Sequence, residues 1–196
     1  MEIELRAYLK SKEKTVKNLQ EMGAKLQETE RLIDYWLCKK EYNRFEQIAQ
    51  DAVGSYGLRV RQQKKGKTTE YIEINCKVLE KQNDHQAFHE YCTEIADAKQ
   101  ALAIFRSIGF KVFCTINKVR TVYQLGNCLI NLEDIKDFPP TIELEIIDSQ
   151  NIDQHKKFLN DLMLGLGIEQ QSVIQKSITY EYMKKYAFKQ KNGKCL

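Results

Sequence analysis

Residues 118–133 read KVRTVYQLGNCLINLE, and this stretch decides how the chain folds. Lys118–Leu125 and Cys128–Glu133 are short runs rich in aliphatic, β-branched and aromatic residues, the composition of strands. Between them lies Gly126-Asn127, a pair suited to the left-handed backbone of a two-residue hairpin turn. An antiparallel hairpin is therefore expected. Lys118 and Arg120 stand two residues apart on its first strand, so both project from one face.

The same grammar extends in both directions. Upstream, Lys111–Ile116 reads as a strand, and downstream so does Thr141–Ile147, with Glu143 and Glu145 two apart. At the N-terminus Ile3, Leu5, Ala7 and Leu9 alternate with Glu2, Glu4, Arg6 and Tyr8, which is a strand pattern. Leu32–Cys38 is a second run of bulky residues. Ser55–Gln62 alternates Tyr56, Leu58 and Val60 with Gly57, Arg59 and Arg61. A Gly-containing turn at 62–67 leads into Thr68–Lys77, completing another hairpin. Ala87–Ile95 is a further strand. Helical spacing replaces alternation in three places. Ser11 to Lys25 carries Val16, Leu19 and Met22 and stops at Gly23. Asp97 caps a helix bearing Ala98, Ala101, Leu102 and Phe105, ended by Gly109. Ile152 to Leu166 places Leu159, Leu162, Met163 and Leu166 on one side. Seven or eight hairpin-connected strands with helices outside make an α+β domain, and closure into a barrel would remove its exposed edges.

Composition narrows the class. The chain has 196 residues, 42% hydrophobic and 30% charged, enough apolar material for a core and hence not a disordered chain. No linker or repeat divides it, so a single domain over 1–196 is expected. No apolar run approaches the roughly 20 residues of a membrane span, and the opening MEIELRAYLK lacks the basic start of a signal peptide. A cytoplasmic protein without membrane association is expected. A net charge of +4 is too mild to suggest a nucleic-acid partner. The six cysteines are scattered with no C-x-x-C pair, so they read as small buried hydrophobes in a reducing compartment rather than as a zinc site. His85 and His89, with Glu90 beside them, would share a face if helical, but no third ligand stands at motif spacing. The run Tyr180, Tyr182, Tyr186 and Phe188, with Lys184, Lys185, Lys189 and Lys191, reads as a closing amphipathic helix with a basic tail.

The charges on the strands carry the functional information. Glu2/Glu4/Arg6, Arg59/Arg61, Lys118/Arg120 and Glu143/Glu145 each occupy one strand face, acidic and basic pairs largely on different strands. Enclosed together, carboxylates would suit a hard divalent cation and arginines a phosphate group. Charges two apart also decorate any solvated sheet, forming weak cross-strand pairs. Periodicity alone does not say which face is inside.

Taken in order, these segments resemble the CYTH family, the triphosphate tunnel metalloenzymes. Glu2-Ile3-Glu4-Leu5-Arg6 is similar to its E-x-E-x-K signature, and Leu58-Arg59-Val60-Arg61 to its L-R-x-R strand. Lys77 resembles its strand-ending lysine. Glu90 lies where an acidic residue is expected before the central helix. Ile108-Gly109-Phe110 followed by Lys118-Val119-Arg120 is similar to its "L-G-F … K-x-R" stretch, and Glu143-Leu144-Glu145 to its closing E-x-E. Ile33-Asp34-Tyr35-Trp36 resembles the second strand, where an aromatic follows an acidic position. The resemblance covers residues 2–147.

It implies an eight-stranded antiparallel closed β-barrel, a triphosphate tunnel with helices packed outside. Arg6, Arg59, Arg61, Lys77, Lys118 and Arg120 would bind the triphosphate of ATP or tripolyphosphate. Glu2, Glu4, Glu90, Glu133, Glu143 and Glu145 would bind Mg²⁺ or Mn²⁺, directly or through water. Glu2, Glu4, Lys118 and Arg120 would be the catalytic residues. The implied activity is that of a class IV adenylyl cyclase, ATP giving cyclic AMP and pyrophosphate. The alternatives are an inorganic, nucleoside or thiamine triphosphatase releasing orthophosphate, and a module that binds polyphosphate or nucleotide without turnover. A monomer or homodimer is compatible with either. Three departures bear on rate. Arg6 replaces a lysine and cannot serve as a base, Glu133 replaces an aspartate, and Phe138-Pro139-Pro140-Thr141 replaces an L-G-x-F run.

Overall fold

The stretch 118–133 forms a hairpin in the computed structural model, which describes residues 2–48, 53–65, 69–79, 88–147 and 151–189. Its strands are β6 (Phe110–Leu125) and β7 (Cys128–Ile135). They pair antiparallel from Leu125↔Cys128 to Lys118↔Ile135. Gly126 closes the turn at φ 60°, a backbone conformation that L side chains resist. The two strands expected at 111–116 and 118–125 are one. Asn117 between them is neither glycine nor proline, and the alternation runs through it from Cys114 and Ile116 to Lys118 and Arg120.

The other elements are β1 (Glu2–Tyr8), α1 (Lys12–Glu21), β2 (Lys25–Lys39), β3 (Tyr56–Lys65), β4 (Thr69–Leu79), β5 (Phe88–Glu94), α2 (Ala98–Ser107), β8 (Thr141–Ile147), α3 (Ile152–Gly165), β9 (Val173–Ile174) and α4 (Ile178–Tyr186). Strand β2 begins seven residues earlier than the bulky run 32–38 suggests, because Lys25–Arg31 is polar and extended. Ser11 caps α1 by accepting from the Lys14 N–H, and Asp97 caps α2 by accepting from Lys99 and Gln100.

The sheet order is β5-β4-β3-β2-β6-β7-β8-β1-β9. The α+β class and antiparallel pairing are as expected; the closed eight-stranded barrel is not. Nine strands run in linear order, and among the described residues no pairing joins β5 to β9. Strand β9 supplies a physical reason. It pairs with β1 through Arg6↔Ile174 and Ala7↔Val173, occupying the edge of β1 that closure would need. A two-residue strand after α3 carries too little alternation to stand out in the sequence.

The chain divides into two compact units, residues 1–30 with 118–178 and residues 31–117 with 179–196. In the first, alternation sends Ile3 and Ala7 of β1, Ile130 and Leu132 of β7, and Ile142, Leu144 and Ile146 of β8 to one side. There they pack with Leu19 of α1 and Leu159, Leu162, Met163 and Leu166 of α3. Each fully buried aliphatic side chain contributes about 1.5–3 kcal/mol relative to exposure. In the second unit, Leu37, Leu58 and Val60 pack with Ala98, Ala101, Leu102 and Phe105 of α2. Both units thus cover one sheet face with helix and apolar side chains, which by the two-residue period leaves their charged residues on the other.

Cys38, Cys114 and Cys128 are buried, and burial pushes the Cys114 thiol up to about 12, so it stays protonated and inert. Cys92 is exposed, unlike the expectation, and Cys195 lies outside the described residues. The expected C-terminal helix is α4; Lys191 of its basic tail lies outside the described residues. Among the described residues no helix is long and apolar enough to cross a membrane.

Candidate functional site

In the first unit the strand register builds rows across the charged face. Arg120, Glu133 and Thr141 form one row, Asn131, Glu143 and Arg6 the next, and Leu129, Glu145 and Glu4 the third. This is no solvent-washed face: Glu133 is 2% exposed and Lys118 8%. The enclosed reading of the charges therefore prevails over the solvated one here. Glu133 Oε1 accepts from Lys118 Nζ at 2.6 Å and from Arg120 Nε at 2.9 Å and Nη2 at 2.6 Å. Burial works against ionisation of Glu133, but Lys118 and Arg120 outweigh it and hold its carboxyl at about 2. Burial likewise opposes the Arg120 charge, and Glu133, Glu143 and Glu30 overcome it, making the guanidinium harder to deprotonate.

Arg6 joins two strands. Its Nε donates to Glu143 Oε2 at 2.7 Å, and its guanidinium also pairs with Glu4. Glu4 and Glu145 are register partners, two like charges directly opposite, a destabilising arrangement unless positive charge lies nearby. The side chain of Glu2 lies outside the described residues.

In the second unit the charged face carries Arg59 and Arg61 on β3 opposite Asn75 and Glu73 on β4, and Lys77 opposite Glu90 on β5. Asp34 of β2 is 1% exposed and holds Arg61 bidentately, Nε to Oδ1 at 2.6 Å and Nη2 to Oδ2 at 2.8 Å. Arg59 approaches the Asp34 carboxylate to 3.9 Å and Glu73 to 3.6 Å, and its Nε has no hydrogen-bond partner. Burial, with Arg61 beside it, works against the Arg59 charge, and Asp34 and Glu73 partly restore it. The Arg59 guanidinium sits over the Trp36 ring, 5.6 Å from its centroid. Lys77 Nζ lies 3.1 Å from Glu90 Oε2, and Asn75 donates to the other oxygen of Glu90. Cys92 Sγ donates to Glu73 Oε2 at 3.2 Å.

A family model for the CYTH domain matches residues 1–178. The chain belongs to the CYTH family. Solved structures with the same fold include the PH1012 protein from Pyrococcus horikoshii OT3, 27% identical over 90% of this chain and 96% of that one, TM-score 0.70. A candidate adenylate cyclase from Vibrio parahaemolyticus is 15% identical over 91% of this chain and 95% of its own, TM-score 0.70. A candidate adenylyl cyclase from Hippeastrum, with a dominant triphosphatase activity, is 14% identical over 94% and 95%, TM-score 0.63. A search of curated proteins returns no significant match.

The first unit gathers Glu4, Arg6, Lys118, Arg120, Glu133, Glu143 and Glu145, and the second Arg59, Arg61, Lys77 and Glu90. Sequence reasoning gave no role to Asp34 and passed over Glu30, Glu73 and Asn75. Glu73 and Asn75 were visible as the polar residues between Ile72, Ile74 and Cys76. Glu30 lay in the polar start of β2. His89 stands in β5 rather than on a helix, its ring 4.4 Å from Tyr91 on the face opposite Glu90, and His85 lies outside the described residues. The helical His pair does not form.

The family's divalent cation fits the first unit in donor type: its carboxylates form an oxygen-only set, which suits Mg²⁺ or Mn²⁺. Among the described residues no three Asp, Glu, His or Cys side chains gather closely enough to cage an ion. That too is compatible with Mg²⁺, which commonly takes one or two carboxylates and completes its shell with water and phosphate.

Proposed function

We propose that this protein is an enzyme that binds a triphosphate group and, with Mg²⁺ or Mn²⁺, cleaves one of its phosphoanhydride bonds. The observation that carries the reading is the enclosure of paired cations, buried Lys118 with half-buried Arg120 and buried Arg61 with half-buried Arg59, on sheet faces whose reverse sides are apolar core. Burying cations is costly unless an anion or carboxylate answers them, and a polyphosphate answers several at once. Arg6, Lys118 and Arg120 in one cluster, and Arg59, Arg61 and Lys77 in the other, supply the positive charge. Glu4, Glu143 and Glu145, with Glu2 and Glu90, are the proposed metal carboxylates. Glu133 keeps Lys118 and Arg120 charged and in place. A divalent cation, when bound, neutralises phosphate oxygens and acidifies a water.

The form favoured is hydrolysis: water attacks the terminal phosphorus, its bond to the bridging oxygen breaks, and orthophosphate leaves. The clusters are built of groups that read phosphate, and the Hippeastrum neighbour, whose activity is dominantly triphosphatase, supports this form. Cyclisation is the second reading, supported by the cyclase names of the Vibrio and Hippeastrum neighbours. There the 3′-hydroxyl of ATP attacks the α-phosphorus and pyrophosphate leaves. Phosphorus-31 NMR of the protein with ATP and with tripolyphosphate, each with Mg²⁺ and Mn²⁺, separates them. Orthophosphate establishes hydrolysis, and pyrophosphate with a cyclic phosphodiester establishes cyclisation. Consumption of neither substrate leaves a binding module.

A further inference from the structure

Cys92 departs from the expectation that the cysteines are small buried hydrophobes. It is exposed on β5, on the charged face of the second unit, with Glu90 and Glu94 two residues to either side on the same face. Its Sγ donates to Glu73 Oε2 of the neighbouring strand at 3.2 Å. Glu73 turns its other oxygen to Arg59, 3.6 Å away. A thiol and a carboxylate oxygen that share one proton are also a pair of metal ligands, since a divalent cation can take the proton's place. On zinc, with sulfur at about 2.3 Å and oxygen at about 2.0 Å, two tetrahedral ligands stand about 3.5 Å apart. The two atoms already sit close to that spacing.

Asn75 supplies an independent sign of a ligand. It is 1% exposed and lies directly opposite Cys92 in the register of β4 and β5. Its Nδ2 donates to Glu90, which fixes the orientation of the amide, and its buried Oδ1 has no hydrogen-bond partner. A buried acceptor left unanswered is costly, and an amide oxygen is answered by a cation as well as by a donor. Glu94 adds to the negative field here. It stands directly across from Glu73, a like-charge pair that a nearby cation would relieve.

We propose that Cys92 Sγ, Glu73 Oε2 and Asn75 Oδ1 form a site for Zn²⁺, with water completing the tetrahedron. As the sulfur–zinc bond forms, the thiol proton passes to solvent. The chemistry differs from that of the first unit's carboxylates, because thiolate selects the softer ion whereas Mg²⁺ seeks oxygen. Two charged ligands with an amide oxygen and water are enough, in keeping with the absence, among the described residues, of any gathering of three Asp, Glu, His or Cys side chains. No C-x-x-C spacing announces the site, since its ligands meet across β4 and β5 rather than along one strand. It stands independently of the triphosphate reading.

The test titrates the full chain with Co²⁺, a zinc surrogate whose bond to thiolate gives a charge-transfer absorption, and then adds Zn²⁺. The wild type is expected to develop the band to a one-to-one endpoint, to lose it to Zn²⁺ and to keep it in a large excess of Mg²⁺. Cys92→Ser is expected to abolish the band. Glu73→Gln is expected to weaken Zn²⁺ binding at least tenfold in competition with a chromophoric chelator. Cys195→Ser, which removes a thiol far along the chain, is expected to change neither. Melting curves without metal check that each variant is folded, and Cys92→Ala stands in should the serine variant melt early. A band undiminished in the Cys92 variant, lost in Cys195→Ser or absent from the wild type overturns the site. Zn²⁺ affinity within threefold of the wild type in Glu73→Gln overturns the cross-strand pairing of thiol and carboxylate.

Discussion

Arg6 and Glu143 face each other at one register position of β1 and β8, Arg6 Nε lying 2.7 Å from Glu143 Oε2. The same guanidinium pairs with Glu4, two residues back on its own strand. One cation thus answers a carboxylate on each of the two strands. Arg6→Ala should leave them repelling one another in a half-buried setting and destabilise the protein by about 1–3 kcal/mol. Arg6→Lys, which keeps the charge, should recover most of that loss. Urea denaturation of the two variants decides it; equal midpoints would mean that the pairing contributes nothing.

Glu145 should behave in the opposite sense. It stands directly across from Glu4, so Glu145→Gln relieves a like-charge pair and should raise stability in EDTA by about 0.2–1 kcal/mol. The same change removes a proposed metal oxygen. Mn²⁺, which should raise the melting temperature of the wild type by mass action, should raise that of the variant less. Thermal melts with EDTA and with Mn²⁺ give both numbers, and an equal Mn²⁺ response in the two proteins would exclude Glu145 from the metal site.

Glu133 makes stability depend on acid. Its folded carboxyl is held at about 2, below its ordinary value of 4.5. A depressed carboxylate contributes stability that is fully present above pH 4.5 and is lost as pH falls toward 2. Glu133→Gln should therefore be less stable than wild type at pH 7, and the gap should narrow steadily below pH 4.5. A gap that stays constant down to pH 2.5 would contradict the linkage.

Gly57→Val should act through Trp36. A Cβ there already comes within 3.2 Å of the ring, and two further methyl groups force the indole away from Arg59. Trp36 is the only tryptophan in the chain, so its emission reports the displacement directly. A shifted emission maximum is expected together with a cost of about 1–3 kcal/mol for overpacking. An unchanged spectrum would show that the ring accommodates the methyls where it stands.

Much of this was legible because strands write their faces into sequence. The hairpins at 58–77 and 118–133 could be read from alternation and turn residues, and so could the pairing of charges on β1, β3, β6 and β8. The stripe Leu159, Leu162, Met163 and Leu166 was equally plain, since a helix repeats its burial every three or four residues. What could not be read depended on partners distant in the chain. Asp34 looks like any strand aspartate until Arg61, 27 positions away, is seen to fork onto it. Nothing in the sequence around Glu133 announces that Lys118 and Arg120 converge on one of its oxygens. The open sheet turned on β9, whose two residues matter only because they reach the edge of β1.

Strand β6 works like a reading frame. Its sixteen residues contain no glycine or proline, and from Lys118 to Leu125, where pairing with β7 is unbroken, successive side chains take opposite faces. Inserting or deleting one residue near Asn117 would exchange all later positions, sending Lys118 and Arg120 toward the apolar layer and Val119 and Tyr123 toward the charged one. Substitutions along β6 can be tested by selection one at a time, whereas a length change there is a frameshift in space. Length variation among descendants of this chain should therefore collect at turns such as Gly126-Asn127 and 136–140, and spare the strand between them.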